Sequence, residues 1–110
     1  MKLPNGESAI VEMTKLTEYC LSPTHLRGKH KARVFESALG ITADDAPAVQ
    51  AALKEAAEEK NAVRSASDLY GTRYIIDFEL SRNERTAIVR SCWILRVNET
   101  SPRFLTCYVL

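Results

Sequence analysis

The sequence predicts an α+β fold, with N-terminal helices packed on one face of a C-terminal antiparallel β-meander, in a single domain covering residues 1–110. Three observations carry that prediction. Between His30 and Ala57 apolar residues recur at helical spacing. From Tyr70 onward the period changes to two. The period-two segments then follow one another across short polar turns, the order of an antiparallel meander.

At the N-terminus, Pro4-Asn5-Gly6 reads as a turn, and the apolar Ala9-Ile10-Val11 reads as an edge strand. Thr14 is placed to cap a first helix, with Thr17 and Glu18 in its opening turn and Leu16, Tyr19 and Cys20 on one side. Ser22-Pro23 ends it, because the residue before proline disfavours the α region. Residues 22 to 29 form a basic, turn-rich loop. A second helix is predicted from His30 to Leu39, with Val34, Phe35, Ala38 and Leu39 as its buried stripe and Gly40 as its terminator. Thr42-Ala43-Asp44-Asp45 opens a third, whose acids sit at the end the helix dipole prefers. Ala46, Val49, Leu53 and Ala56 or Ala57 supply its buried face, and it ends near Lys60-Asn61.

Residues 62 to 69 read as a polar connection. Tyr74 to Leu80 is a strand with Tyr74, Ile76, Phe78 and Leu80 inward. Ser81 to Arg85 is a hairpin loop, Thr86 to Arg96 a central strand, Asn98 to Pro102 a turn, and Arg103 to Val109 the last strand. Three consecutive strands are therefore expected in the meander.

Composition narrows the function classes. With 45% hydrophobic and 26% charged residues the chain has enough apolar content to fold, which argues against disorder. Fifteen basic and fourteen acidic residues give a net charge of +1, so a general basic coat for nucleic acid is excluded. Charge is nevertheless unevenly placed. Residues 25 to 33 hold His25, Arg27, Lys29, His30, Lys31 and Arg33 without an acid, whereas residues 44 to 59 hold five acids against Lys54 alone. A basic and an acidic pole are expected. Cys20, Cys92 and Cys107 lack the spacing of a zinc site or a disulfide framework and suit a reducing, cytoplasmic setting as small core residues. No apolar run approaches membrane-spanning length, and the first residues lack a signal-peptide core.

The basic run opens the second helix, where the backbone already presents unpaired N–H groups and partial positive charge. Each exposed cation there costs about 0.3–1 kcal/mol, a penalty that suggests a bound anion. Lys31 and Arg33, with Lys29, are the candidate phosphate-binding cations, the alternative being a solvated surface. On the strands, Arg90 stands either in a wet cleft or in a salt bridge to Asp77 or Glu79. Thr106 and Tyr108 share one face of the last strand, as site residues or as ordinary β-packing. The register between the last two strands leaves open which of them neighbours Arg90. RNA cleavage without a metal needs a base for the 2′-OH, an acid for the leaving oxygen and cations for the phosphorane. His25, His30, Lys31, Arg33 and Arg90 contain the necessary types. No carboxylate cluster has metal-ligand spacing, and neither a glycine-rich phosphate loop nor a Ser-His-Asp order is present.

The segments Lys15-Leu16-Thr17-Glu18-Tyr19-Cys20-Leu21-Ser22-Pro23, Gly28-x-x-Lys31-Ala32-Arg33-Val34-Phe35 and Ala38-Leu39-Gly40 resemble a small bacterial domain family. So do Arg90-Ser91-Cys92-Trp93-Ile94 and Pro102 to Val109. That family occurs free-standing and at the C-termini of polymorphic toxins. Its order of elements is similar to the barnase, EndoU, colicin and RelE-like ribonuclease superfamily. The resemblance implies a metal-independent endoribonuclease of toxin type, acting on RNA by 2′-OH attack on phosphate, needing no cofactor, and restrained by a small antitoxin protein encoded nearby. It also implies that Lys31 is the family's helix lysine, Arg90 and Ser91 its central-strand polar pair, and Thr106 and Tyr108 its last-strand pair. His30 lies in the variable slot between the glycine and the lysine. The rival expectations are a non-catalytic module docking an acidic partner through the basic pole, and an inactive relative kept for its interactions.

Overall fold

The computed structural model describes residues 1–110, as helices in the N-terminal half followed by a four-stranded antiparallel sheet in the order β1-β2-β3-β4. Helix α1 is one α-turn, Met13–Lys15, that widens directly into a π-helical turn, Leu16–Cys20. Helix α2 is Lys29–Leu39, and α3 is Ala46–Glu59. The strands are β1 Val63–Ser67, β2 Gly71–Arg82, β3 Arg85–Arg96 and β4 Arg103–Val109.

Local chemistry accounts for the helix boundaries. Gly40 adopts the left-handed conformation (φ 65°) that ends α2, as its place after Leu39 predicts. Thr42 and Asp45 form a reciprocal capping box around a 3₁₀ turn, Ala43–Asp45, that feeds α3, and Pro47 occupies the first turn where no N–H is needed. Phe35 and Leu39 from α2 and Ala46, Val49, Leu53, Ala56 and Ala57 from α3 are buried together. Against them lie Tyr74, Ile76, Phe78 and Leu80 from β2, Val89 and Trp93 from β3, and Phe104 and Cys107 from β4. The helices thus cover one face of the sheet. Strand alternation turns Asp77, Glu79, Ile88, Arg90, Cys92, Thr106 and Tyr108 to the other face.

Five expectations change. Val34, expected in the buried stripe of α2, is exposed, and the loop expected at Ser81–Arg85 shrinks to Asn83-Glu84 because Ser81 and Arg82 pair with Thr86 and Arg85. Residues 62 to 69 contain a strand, β1, rather than a plain connection. All five of its residues are exposed, so it lacks the alternation that marks a half-buried strand, and it is held by pairing to β2 across a bulge between Arg64 and Ala66. The stretch Ala9-Ile10-Val11 is not a strand. It contributes one parallel bridge, Ile10 to Arg103, with the Ile10 N–H donating to Pro102 and the Phe104 N–H to Ile10. The first helix starts at Met13, not at a Thr14 cap, and Thr17 and Glu18 fall in its π turn.

The β2–β3 hairpin is continuous from Gly71↔Arg96 to Arg82↔Arg85. Its two-residue turn, Asn83-Glu84, has positive φ at both positions, the geometry whose twist matches the strands. Asn83 Nδ2 also donates to the Leu39 carbonyl at 2.8 Å, tying the hairpin to the end of α2. A second bulge, at Cys92/Trp93, lets β4 pair Cys92↔Thr106 but Trp93↔Phe104. Trp93 and Phe104 consequently share the buried face, with ring centroids 5.5 Å apart, while Thr106 and Tyr108 stay on the open one.

Candidate active site at the outer edge of the sheet

The site is assembled where the start of α2 meets β4. A glycine is required at position 28 because the backbone of Tyr19 presses against it. A Cβ there would lie 2.1 Å from the Tyr19 carbonyl oxygen. This close approach seats the first turn of α2 on the π turn. Lys31 Nζ then donates to Tyr19 Oη at 2.8 Å, lies 4.8 Å from the Tyr19 ring centroid, and is 6.0 Å from that of Tyr108. One ammonium is framed by two phenols, an arrangement that orients it while leaving donors free. The N-terminus of α2 has no side-chain cap and no acid in its first turn.

His30 is exposed on the wall of a groove of about 390 Å³ lined by His30, Lys31, Val34, Tyr108 and Val109. His25 is committed elsewhere. Its Nδ1 accepts from the Arg27 and Gly28 N–H groups at 3.0 and 2.9 Å, and its ring meets the Tyr19 edge, so it holds the loop that precedes α2.

Arg90 and Tyr108 are direct cross-strand partners, which resolves the register. Of the two expectations for Arg90, the salt bridge to Asp77 is the one present. Its Nε and Nη2 clasp the two oxygens of Asp77, its partner on β2, at 2.8 and 2.9 Å, while Tyr108 stands on its other side. The Asp77 hydrogen bonds and charge raise the guanidinium's affinity for its proton, and Arg90 in turn holds the Asp77 carboxyl below the usual range. Thr106 Oγ1 lies 3.6 Å from Cys20 Sγ, at the last residue of the π turn.

The structure groups His30 and Lys31 of α2 with Tyr108 of β4, and Arg90 pairs with Tyr108 across the strands while lining a separate depression with Asn61, Val63, Ile75 and Asp77; Thr106 shares the face of Tyr108 and turns its hydroxyl to Cys20. It separates three others. Ser91 has no exposed surface; its hydroxyl donates to the Ile76 carbonyl at 2.8 Å and accepts from Trp93 Nε1 at 2.9 Å. It braces the core and cannot reach a phosphate. Lys29 and Arg33 lie on the far side of α2 from Lys31. They line a different groove, of about 370 Å³, together with Leu21, Glu36, Thr42 and Asp44. Tyr19 and Cys20 complete the site without having been assigned to it. Their only sequence signal is membership of the Lys15–Pro23 segment, since contact with Lys31 and Thr106 depends on packing. No group of three or more His, Cys, Asp or Glu side chains is arranged to hold a metal ion, and no helix is long and apolar enough to cross a membrane.

A domain family described as a domain of unknown function, DUF6883, matches residues 2–110. No curated protein matches the chain. Among solved structures, a chain of the contact-dependent growth inhibition toxin–immunity protein complex from Klebsiella pneumoniae 342 is similar, with a TM-score of 0.71 and 19% identity. The match covers 92% of this chain and 99% of that one. At that identity the likeness is one of fold.

Proposed function

This chain belongs to the DUF6883 family, and from its site we propose that it is a toxin-type, metal-independent endoribonuclease that cuts RNA by attack of a 2′-OH on the adjacent phosphate. The observation that carries the reading is the row Lys31–Tyr108–Arg90. Two cations from separate elements flank one phenol: Lys31 and Tyr108 line a groove beside the exposed His30, and Arg90, the cross-strand partner of Tyr108, opens onto an adjacent depression lined by Asn61, Val63, Ile75 and Asp77. In this reading the free ammonium donors of Lys31 and the unclasped edge of the Arg90 guanidinium steady the phosphorane, as fixed charges that need no rearrangement. His30 moves the proton of the 2′-OH or of the leaving oxygen, and the Tyr108 and Thr106 hydroxyls orient the phosphate. Asp77 fixes the plane of Arg90. It also neutralises part of its charge, which makes Lys31 the dominant cation.

A place in a toxin–immunity system, as toxin or as immunity protein, draws support from the fold shared with a chain of a toxin–immunity complex; the toxin side is assigned from the cationic site. The partner expected for this chain is a small immunity or antitoxin protein of acidic surface, covering the Lys31 groove, in the cytoplasm where the RNA lies.

Incubation with total RNA and a chelator tests the proposal. Fragments ending in 2′,3′-cyclic phosphate are expected, and Lys31→Ala and Arg90→Ala are each expected to slow their appearance about 10²–10³-fold while the fold persists. Unbroken RNA at high protein concentration overturns it. A second reading is favoured by one feature: Lys31 and Arg90 already hold protein partners, Tyr19 and Asp77. In that reading the edge is a non-catalytic docking surface for an acidic protein. The same two variants would then abolish capture of that protein with no RNA cleavage to lose.

A further inference from the structure

On the open face of the sheet, strand pairing lines residues up in two adjacent rows. One runs Asp77–Arg90–Tyr108 across β2, β3 and β4 and ends at Lys31. The other runs Val63–Ile75–Cys92–Thr106 across all four strands. The first row is polar throughout, whereas the second begins with two apolar side chains that lie outside the core. Val63 is exposed and Ile75 half-buried. At the β1 end, Asn61, Val63, Ile75, Asp77 and Arg90 line a depression of about 320 Å³. The cleavage chemistry leaves Asn61, Val63 and Ile75 without a role.

We propose that this depression is a nucleoside subsite. It seats the base next to the phosphate held by Lys31 and Arg90, and it selects a base with an exocyclic amino group (adenine, cytosine or guanine) over uracil. The position of that phosphate rests on the ribonuclease reading.

The floor of the depression suits a flat ring. Val63 and Ile75 are direct cross-strand partners, so their Cβ atoms stand about 4.5–5.5 Å apart and form one apolar surface. A base laid on it removes that surface from water. Cys92, half-buried and small, leaves the way open from this floor toward Thr106.

The rim sets the preference. Each Asp77 oxygen accepts one hydrogen bond from Arg90, at 2.8 and 2.9 Å, and the carboxylate remains more than one-third exposed. Because Arg90 keeps it ionised, it can only accept. Asn61 Oδ1 accepts from the Met1 nitrogen at 2.6 Å, which leaves the Asn61 Nδ2 hydrogens for a ligand. An acceptor and a donor on one rim match an amino group beside a ring nitrogen or carbonyl, the pairing edge of adenine, cytosine and guanine. Uracil offers one N–H between two carbonyl oxygens, and one of those would face the carboxylate.

Spacing fits the same occupant. Neighbouring strands lie about 4.8 Å apart, so β1 is roughly 10 Å from β3 and 14 Å from β4. One nucleotide laid across the sheet reaches from a phosphate between Arg90 and Lys31 to a base over Val63. Arg90 borders both positions.

The test separates binding from cleavage. The 2′-deoxy dinucleotides of adenine, cytosine, guanine and uracil lack the attacking hydroxyl and report binding alone. Titrated into the full chain, the first three are expected to shift the backbone amide resonances of Val63, Ile75 and Lys31 together. The uracil dinucleotide is expected to bind about tenfold more weakly. Val63→Glu is expected to keep the parent thermal midpoint, to weaken binding of the first three about tenfold, and to raise KM for a short RNA with kcat little changed. Val63→Ser, which removes the floor without adding charge, is expected to weaken binding about threefold, and Val63→Ile to preserve it. Equal binding of all four dinucleotides, shifts confined to Lys31 and Tyr108, or parent-like binding by Val63→Glu and Val63→Ser would each overturn the subsite. If the dinucleotides bind over Val63 with this preference and RNA stays whole, the ribonuclease reading falls and the subsite stands. If RNA is cut and both variants cut it as the parent does, the subsite falls alone.

Discussion

Lys31 has three N–H donors and commits one of them to Tyr19 Oη. That single bond, with the ring beneath it, converts a flexible side chain into an oriented charge at the groove mouth. Lys29 and Arg33, close in sequence, do not share this. Each residue advances a helix by about 100°, so positions 29 and 33 share a face that position 31 faces away from. The same geometric logic separates Arg90 from Ser91. Consecutive strand residues point to opposite faces, and Ser91 goes to the core, where it satisfies both Trp93 and the Ile76 carbonyl. Ser91→Ala is expected to leave a buried indole N–H unpaired and to destabilise the protein by about 1–3 kcal/mol. Urea denaturation measures this, while the cleavage rate per folded molecule should stay at the parent value. A specific loss of cleavage at full stability would instead return Ser91 to the site. The alternation that assigns Ser91 inward was readable in the strand pattern. Its hydrogen bonds were not, because they depend on β2 lying alongside.

Among the elements, the π turn and α2 act as one unit, and Gly28 is their joint. Gly28→Ala would drive a methyl group into the Tyr19 carbonyl. The expected cost is about 1–3 kcal/mol, with loss of the Lys31–Tyr19 contact. A lowered thermal midpoint together with weaker phosphate or RNA binding checks this, since a purely global effect would leave the binding of the surviving folded fraction unchanged. The hairpin turn is a second joint. Asn83 takes a positive φ and donates to the end of α2, so Asn83→Ala loses both a favourable turn residue and a cap. We expect a destabilisation of about 1 kcal/mol by urea titration. The elements that escaped sequence reading are those without an apolar period. Strand β1, exposed along its whole length, is the case, whereas the apolar Ala9-Ile10-Val11 reads as a strand where a single bridge forms.

For the molecule as a whole, charge placement links stability to pH. Asp45 is held below its usual range first by the Thr42 N–H of the capping box and then by Arg82, and Asp77 by Arg90. A carboxylate with a depressed folded-state pKa contributes stability that is fully present above the unfolded value of about 3.9 and disappears as pH falls through the folded value. The protein should therefore hold a steady urea midpoint from neutrality to about pH 5 and lose it progressively below. Asp77→Asn should lower the midpoint at pH 7 and converge with the parent near pH 2. A constant difference across that range would show that the pair does not carry it. The contribution is modest, because both partners of the Asp77–Arg90 pair remain more than one-third exposed.

Local pattern determined the α+β class, the existence of helices α2 and α3 and of strands β2, β3 and β4, and the bounds of β3 and β4 to within a residue, while β2 extends five residues beyond the expected Tyr74–Leu80. Hydrophobic period, capping residues and turn residues act within a few positions of one another. Which cations converge was decided only by tertiary structure. The β3–β4 register and its bulge place Tyr108 beside Arg90, and the contact of Gly28 with Tyr19 aims Lys31 toward them. Such contacts join residues far apart in the chain, and their geometry depends on how whole elements pack. A period of two or 3.6 identifies an element and its buried side, and carries no record of the neighbour that side will meet.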